Sequence, residues 1–254
     1  MSMSTTVISV LTQKGGVGKT TTTIHLAASF AKKGLKVLVI DFDSQKNLSL
    51  GYKLEDNPPY NIVDFLEQKE GLEFTQKGEY NNIYVLAGSE QLESYRVGRY
   101  ALKESLDLLE DFFDYVLIDC PPKPLSEGLT LGEVAICASD YVISPIKDDE
   151  YSLAGISSLI PSLLALKERH HLNFEYLGFF FNAVLVNSSD FRAYYNEFLE
   201  NEFTKDYLLK TFIRQDINIK KAIKEGKTIF QIDNKSRASK DYKNLVKELK
   251  AKMS

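Results

Sequence analysis

The chain is 254 residues long, 44% hydrophobic and 26% charged, with a net charge of −4. That is enough for one α/β domain with a well-buried core, and no apolar run approaches the roughly 18 residues of a membrane span. The start lacks a secretory signal, and Cys120 and Cys137 form no ligand-spaced pair, which argues against an iron–sulfur centre and fits a reducing cytoplasm.

Met1–Thr5 is polar and expected to fray, and the β-branched run Val7–Thr12 predicts the first strand. Lys14-Gly15-Gly16-Val17-Gly18-Lys19-Thr20-Thr21 then turns into a helix predicted over Thr20–Lys33. A second strand, Lys36–Asp41, runs into Asp41-Phe42-Asp43-Ser44-Gln45-Lys46-Asn47, and Asn57-Pro58-Pro59 reads as a loop. Helices over Ile62–Gln68 and Arg99–Glu110 flank a strand at Ile83–Ala87. Further strands are Tyr115–Asp119, Tyr141–Ile146 and Tyr176–Val184, with a short one near Lys210–Ile213. Helices over Leu153–His170, Asp190–Phe203, Ile217–Glu225 and Ser239–Lys250 complete the pattern. Several strands are apolar at nearly every position, as parallel strands covered on both faces are. Strand–helix alternation predicts a three-layer α/β sandwich with a mostly parallel central sheet, one domain over residues 1–254. Ligands of such sheets sit beyond the carboxyl ends of the strands.

Strand, glycine-rich turn and helix are the context of a phosphate-binding loop. Glycines let the N–H groups of Gly15, Gly16, Val17, Gly18 and the following residues curl toward phosphate oxygens, and the helix adds its positive N-terminal end. Lys19 supplies a cation for the β- and γ-phosphates, and the Thr20 hydroxyl is the expected Mg²⁺ ligand, with Thr21 beside it. The chain is expected to bind a nucleotide. Tyr115–Asp119 has the apolar-run-plus-aspartate form of a Walker B strand, so Asp119 would hold Mg²⁺ through water. Asp41 and Asp43, at the end of the second strand, suit Mg²⁺ coordination and placement of an attacking water. Cys120 reads as a small buried residue rather than a nucleophile. His25, His170 and His171 show no metal or triad spacing, and the adjacent pair is expected to be solvated.

Charge is unevenly spread. Lys205–Ser254 holds 14 Lys/Arg against 6 Asp/Glu, whereas the first 204 residues hold 17 against 29. A basic C-terminal region of this kind suits either a solvated helical face or contacts with phosphate.

A second lysine, Lys14, stands five positions before Lys19. In the form KGGVGKT the loop resembles the deviant Walker A (SIMIBI-class) family of ParA and MinD ATPases. The resemblance implies ATP and Mg²⁺, and a face-to-face homodimer in which Lys14 reaches the neighbour's ATP. Asp41–Asn47 resembles the family's second motif, commonly DxDPQGN, which implies that Asp43 orients or activates water and Asp41 acts near the metal. Proline and glycine are usual where this chain has Ser44 and Lys46. Asp119-Cys120-Pro121-Pro122 matches the family's DxPP, but Lys123-Pro124-Leu125-Ser126 departs from the usual serine–leucine–glycine continuation. Asn182 is either a plain strand-end asparagine or, by resemblance, a residue on the adenine side.

The resemblance covers nearly the whole chain. Ile213–Ile219, Gly226-Lys227 and Ser236-Arg237-Ala238 are similar to ParA partitioning ATPases rather than to MinD. That implies nonspecific DNA binding in the ATP state through Arg192 and Arg214. Asn218 stands where a second arginine is usual, with Lys220, Lys221 and Lys224 close by. Such contacts would be salt-sensitive and blind to sequence. The implied function is slow ATP hydrolysis, stimulated by a ParB-like adaptor, that segregates a plasmid, a chromosome region or another cargo. The implied location is cytoplasmic and nucleoid-associated, with no stable membrane association. No N-terminal helix-turn-helix domain is expected, and so no sequence-specific operator binding.

Three rival readings follow from the same residues. A MinD-like membrane-cycling ATPase would use Tyr242, Leu245, Val246 and Leu249 as a membrane-facing stripe, which core packing explains better because the stripe lacks bulky aromatic anchors beyond Tyr242. A metabolic ATP-dependent ligase or reductase of the same fold is opposed by Lys14 and the missing cluster cysteines. A non-hydrolysing scaffold is opposed by the intact Lys19, Asp43 and Asp119 set.

Overall fold

Runs of apolar, β-branched residues that must be buried on both faces can only pair side by side beneath two helical layers. The computed structural model, which describes residues 5–77, 82–109, 111–125 and 128–254, has that architecture. Met1–Ser4, Glu110 and Ser126, named above, lie outside the described residues. The first half runs β1 (Thr6–Val10), α1 (Lys19–Ala31), β2 (Val37–Asp41), α2 (Asn47–Gly51), α3 (Ile62–Leu66), β3 (Thr75–Lys77), β4 (Ile83–Leu86) and α4 (Ala101–Asp107). It continues β5 (Tyr115–Asp119), α5 (Leu131–Cys137), β6 (Tyr141–Ile146), α6 (Glu150–Arg169), β7 (Glu175–Val184) and α7 (Ser189–Glu200). The chain closes with β8 (Ile213–Arg214), α8 (Ile217–Glu225), α9 (Ile229–Asp233) and α10 (Arg237–Lys252).

Among the described residues the strands form one sheet in the order β3-β4-β2-β5-β1-β6-β7-β8. Every pairing is parallel except that of β3 with β4. β1 therefore lies between β5 and β6, and β2 lies beside β5, which brings three of the motif-bearing strand ends to one edge. The two-residue period of a strand sorts its side chains between two cores. Val37 and Val39 of β2 enter one core, and Leu38 and Ile40 the other. Tyr115 and Leu117 of β5 divide from Val116 and Ile118 in the same way, as Phe180 of β7 does from Phe179 and Phe181. Tyr242, Leu245, Val246 and Leu249 of α10 are fully buried in the core shared with α1. The stripe weighed above as a membrane handle is core. No helix among the described residues is long and apolar enough to cross a membrane.

Several expectations shift. α2, α5 and α9 are too short, at 5, 7 and 5 residues, for helical periodicity to show in sequence. β3 is a polar edge triplet, Thr75–Lys77, without alternation. The short strand expected near Lys210 begins instead at Ile213, because the N–H groups of Lys210 and Thr211 donate to the Glu248 carboxylate at 2.7 and 2.8 Å. His170 is not solvated: it is half-buried 3.5 Å from Glu133, which pairs with Arg99. At the end of β7, Ala183 takes a left-handed φ of 58° where the register shifts between Asn182 and Val184. Ala183→Gly is expected to raise stability by about 1 kcal/mol, read as a higher denaturant midpoint at unchanged slope.

Candidate nucleotide site at the strand ends

β1 ends at Val10, and the loop that follows needs left-handed backbone at Gly16 (φ 75°) and Gly18 (φ 93°). Gly18 is the N-cap of α1. A Cβ there would lie 2.2 Å from Asn182 Nδ2, so only glycine fits. Asn182 is buried and donates from Nδ2 to the Val17 carbonyl at 2.8 Å. The structure thus places Asn182 as a brace across the phosphate loop.

Lys19 opens α1 and is only 7% exposed, its Nζ donating to the Lys14 carbonyl at 3.2 Å. Burial lowers its pKa, and the negative charges of Asp119 and Asp43 work against that shift. Thr20 Oγ1 donates to Asp119 Oδ2 at 2.6 Å, which joins the expected metal-binding hydroxyl to the end of β5. Asp119 is fully buried, and its carboxyl is pushed up to about 8 by burial and then by the neighbouring Asp41. Asp43 is 7% exposed and accepts the Gln45 N–H at 3.0 Å. Asp119 and Asp43 face one buried lysine in a dry site, and the burial that disfavours an ionised Asp119 is what a divalent cation would offset. Thr20 and Asp119 therefore fit Mg²⁺ beside a phosphate chain, with Asp43 next to them.

Asp41 is differently placed. Its Oδ2 accepts both the N–H and the hydroxyl of Ser49, at 2.8 and 2.6 Å, and its Oδ1 the Asp43 N–H at 3.4 Å. Burial pushes its carboxyl up to about 6. Gly88 packs so closely that a Cβ would sit 2.8 Å from Asp41 Cγ, and its N–H donates to Ser49 Oγ at 2.9 Å. Sequence reasoning missed Ser49 and Gly88, which carry no local motif. Cys120 is fully buried, its thiol pushed up to about 12 by burial, as suits a packing residue. Pro122 lies against Gly15, 3.9 Å from where its Cβ would stand, so the loop after β5 adjoins the phosphate loop.

Lys14 points away from its own loop. Its Nζ pairs with Asp149 Oδ2 at 2.5 Å and lies 5.0 Å from the centre of the Tyr151 ring. Asp149 is also the N-cap of α6, and sequence alone did not single it out. At the basic end, Arg192, Lys220, Lys221 and Lys224 are exposed on α7 and α8, which follow the neighbouring strands β7 and β8. Arg214 is committed elsewhere: its Nε and Nη2 donate to the two oxygens of Asp241 at 2.9 and 2.7 Å. Asn218 Nδ2 reaches Asp233 at 3.4 Å. A groove of about 630 Å³ lies beside β8 and α10, lined by Leu185, Arg214, Arg237 and Asp241 among others, none of them in the phosphate loop.

A loop shaped for phosphate, opening a helix whose first hydroxyl is bonded to a strand-end carboxylate, belongs to a P-loop nucleoside-triphosphatase. Residues 5–176 match a family described as an AAA domain. The chain is 34% identical over 254 residues to a ParA family protein of Chlamydia pneumoniae, covering 95% of this chain and 96% of that one. It is 30% identical over 259 residues to the sporulation initiation inhibitor protein Soj of Bacillus subtilis, covering 96% and 98%. Cobyrinic acid a,c-diamide synthase of Mycobacterium smegmatis, solved with an ATP analogue and magnesium, matches with a TM-score of 0.82 at 22% identity. That match covers 98% of this chain and 96% of the synthase, and shows a shared fold. The chain belongs to the ParA family of ATPases.

Proposed function

We propose that the protein is a ParA-type positioning ATPase, which dimerises around ATP and Mg²⁺ and binds DNA without sequence preference in that state. A ParB-like adaptor stimulates hydrolysis and dissolves the dimer, so that a plasmid, chromosome region or other cargo is moved over the nucleoid. The observation that carries this reading is the contrast between the two lysines. Lys19 is buried inside its own loop, whereas the Lys14 side chain is turned from that loop to Asp149 in a pairing about one-third exposed, 36% and 34%, which a second copy's nucleotide can replace.

Bound Mg²⁺ would neutralise charge on the β- and γ-phosphates, held by Thr20 and, through water, by Asp119. The chain's own residues do the rest. Gly15–Thr21 supply inward N–H groups, Lys19 places a cation at the phosphates, and Asp43 orients the attacking water. Asp41, with both oxygens occupied by Ser49 and the Asp43 N–H, braces the Asp43 loop, and the metal role expected of both strand-end aspartates is left to Asp119. Arg192, Lys220, Lys221 and Lys224 are the DNA contacts in this reading. Arg214, neutralised by Asp241, is left out.

DNA binding tests it directly, with unrelated supercoiled plasmid, with ATP, ADP or no nucleotide, and across a salt series. Wild type is expected to bind only with ATP. A dimer presenting these cations twice should lose about 10³-fold or more in affinity between about 50 and 200 mM salt. Lys14→Gln should not bind in any nucleotide state. Hydrolysis without any DNA binding would instead sink the DNA reading, and would turn attention to membranes and small-molecule substrates.

A further inference from the structure

Ser44, Lys46 and Lys123 are among the positions at which this chain departs from the family's motifs, and all three converge on the 3-10 turn Glu90–Glu93. Ser44 Oγ donates to Glu93 Oε2 at 2.7 Å, and Lys123 Nζ lies 3.4 Å from Glu93 Oε1. Lys46 Nζ pairs with Glu90 Oε1 at 2.8 Å. Lys46 also holds the left-handed φ of 52° that glycine would take without strain. Ser44 and Lys46 follow Asp43 in its loop, while Lys123 follows the Pro121-Pro122 segment beside Gly15. One carboxylate therefore ties together the loops that follow β2 and β5, which lie on the same side of the phosphate loop.

We infer that Glu93 is a positioning residue for ATP hydrolysis, fixing the Asp43 loop against the loop after β5. The inference rests on the reading of Asp43 as the residue that orients water. The Ser44 hydroxyl and the Lys123 ammonium hold the Glu93 carboxyl below its usual range. The value of the tie does not lie in folding. The Glu93 side chain is 62% exposed, and an ion pair that open to solvent contributes little to stability. Rate is more sensitive than stability to such a tie, because a misplacement of about 1 Å at a reacting group can cost roughly 100-fold.

The test is steady-state hydrolysis by wild type, Glu93→Ala, Glu93→Gln, Lys123→Ala, the Glu93→Ala/Lys123→Ala double variant and Asp43→Ala, with thermal midpoints measured alongside. Glu93→Ala is expected to lower kcat about tenfold with KM for ATP within about twofold. Its midpoint should stay within about 2 °C of wild type. Glu93→Gln keeps an acceptor for Ser44 but not the charge, so it should match Lys123→Ala, each with a smaller fall. The double variant should equal Glu93→Ala, because both substitutions act through one carboxylate. Wild-type kcat in Glu93→Ala, multiplying effects in the double variant, or a fall explained by raised KM or a lost midpoint would each overturn the tie. Asp43→Ala separates the two claims. If it hydrolyses normally, the reading of Asp43 fails; if it is inactive while Glu93→Ala is unaffected, only the tie fails.

Discussion

Lys19→Gln is expected to weaken ATP binding by about 100-fold or more and to abolish hydrolysis. The Lys19 ammonium is almost wholly buried, and burial outweighs the nearby carboxylates in setting its pKa. Its hydrogen bond to the Lys14 carbonyl, at 3.2 Å, leaves donors for phosphate oxygens. A charge-assisted hydrogen bond contributes about 1.5–3 kcal/mol, so losing one or two accounts for the predicted fall in affinity. Glutamine keeps a donor and much of the length but removes the charge, and with it the compensation for Asp119 and Asp43. The opposing effect, relief from burying a cation, acts on the free protein and cannot restore phosphate affinity. Titration calorimetry with ATP and Mg²⁺ measures the change, and the rise in thermal midpoint on adding nucleotide should vanish. Affinity retained within about tenfold would mean that the loop's N–H groups, rather than Lys19, dominate phosphate binding.

A second large effect concerns acid. His25 is fully buried in α1, stacked on Tyr242 with ring centres 5.0 Å apart. Its Nδ1 lies 2.7 Å from the Thr21 carbonyl and so carries the proton, which leaves Nε2 as an unpartnered buried acceptor. Burial lowers its pKa to about 4. An unfolded histidine titrates near 6.5, so between about 6.5 and 4 the unfolded chain binds a proton that the folded chain refuses. The stability from a neutral His25 is complete above about pH 6.5 and is lost as pH falls toward 4, a change of about 3 kcal/mol. Asp119 and Asp41 pull the other way, since their raised pKa values contribute stability in acid that is lost as pH rises. The difference between wild type and His25→Gln isolates the histidine. The gap in unfolding free energy between the two should shrink by about 3 kcal/mol from pH 7 to pH 4, as wild type alone loses this contribution. A constant gap would show that His25 takes up its proton over the same pH range in the folded as in the unfolded chain.

What could be read from the sequence was local. The phosphate loop is a contiguous run in which left-handed glycines, a strand before and a helix after are all set by residues within a few positions of one another. Tyr115–Asp119, Tyr141–Ile146 and Ile217–Glu225 stand with the bounds expected of them, because each is a sustained pattern between clear breaks. The α/β class followed from the same alternation. Elements of 3 to 7 residues, β3, α2, α5 and α9, were hidden because neither period repeats often enough to register. The partners of charged groups were hidden more deeply. Lys14 meets Asp149 across 135 positions, and Arg214 meets Asp241 across 27. Asp41 is claimed by Ser49, and Ser44 and Lys123 share Glu93. The sequence by itself determined that phosphate chemistry sits at the end of the first strand, because backbone conformation and helix polarity act over a few residues. Tertiary structure alone decided which carboxylates and cations are spent on one another and which remain for a ligand, because charge pairing and burial depend on where distant segments cross.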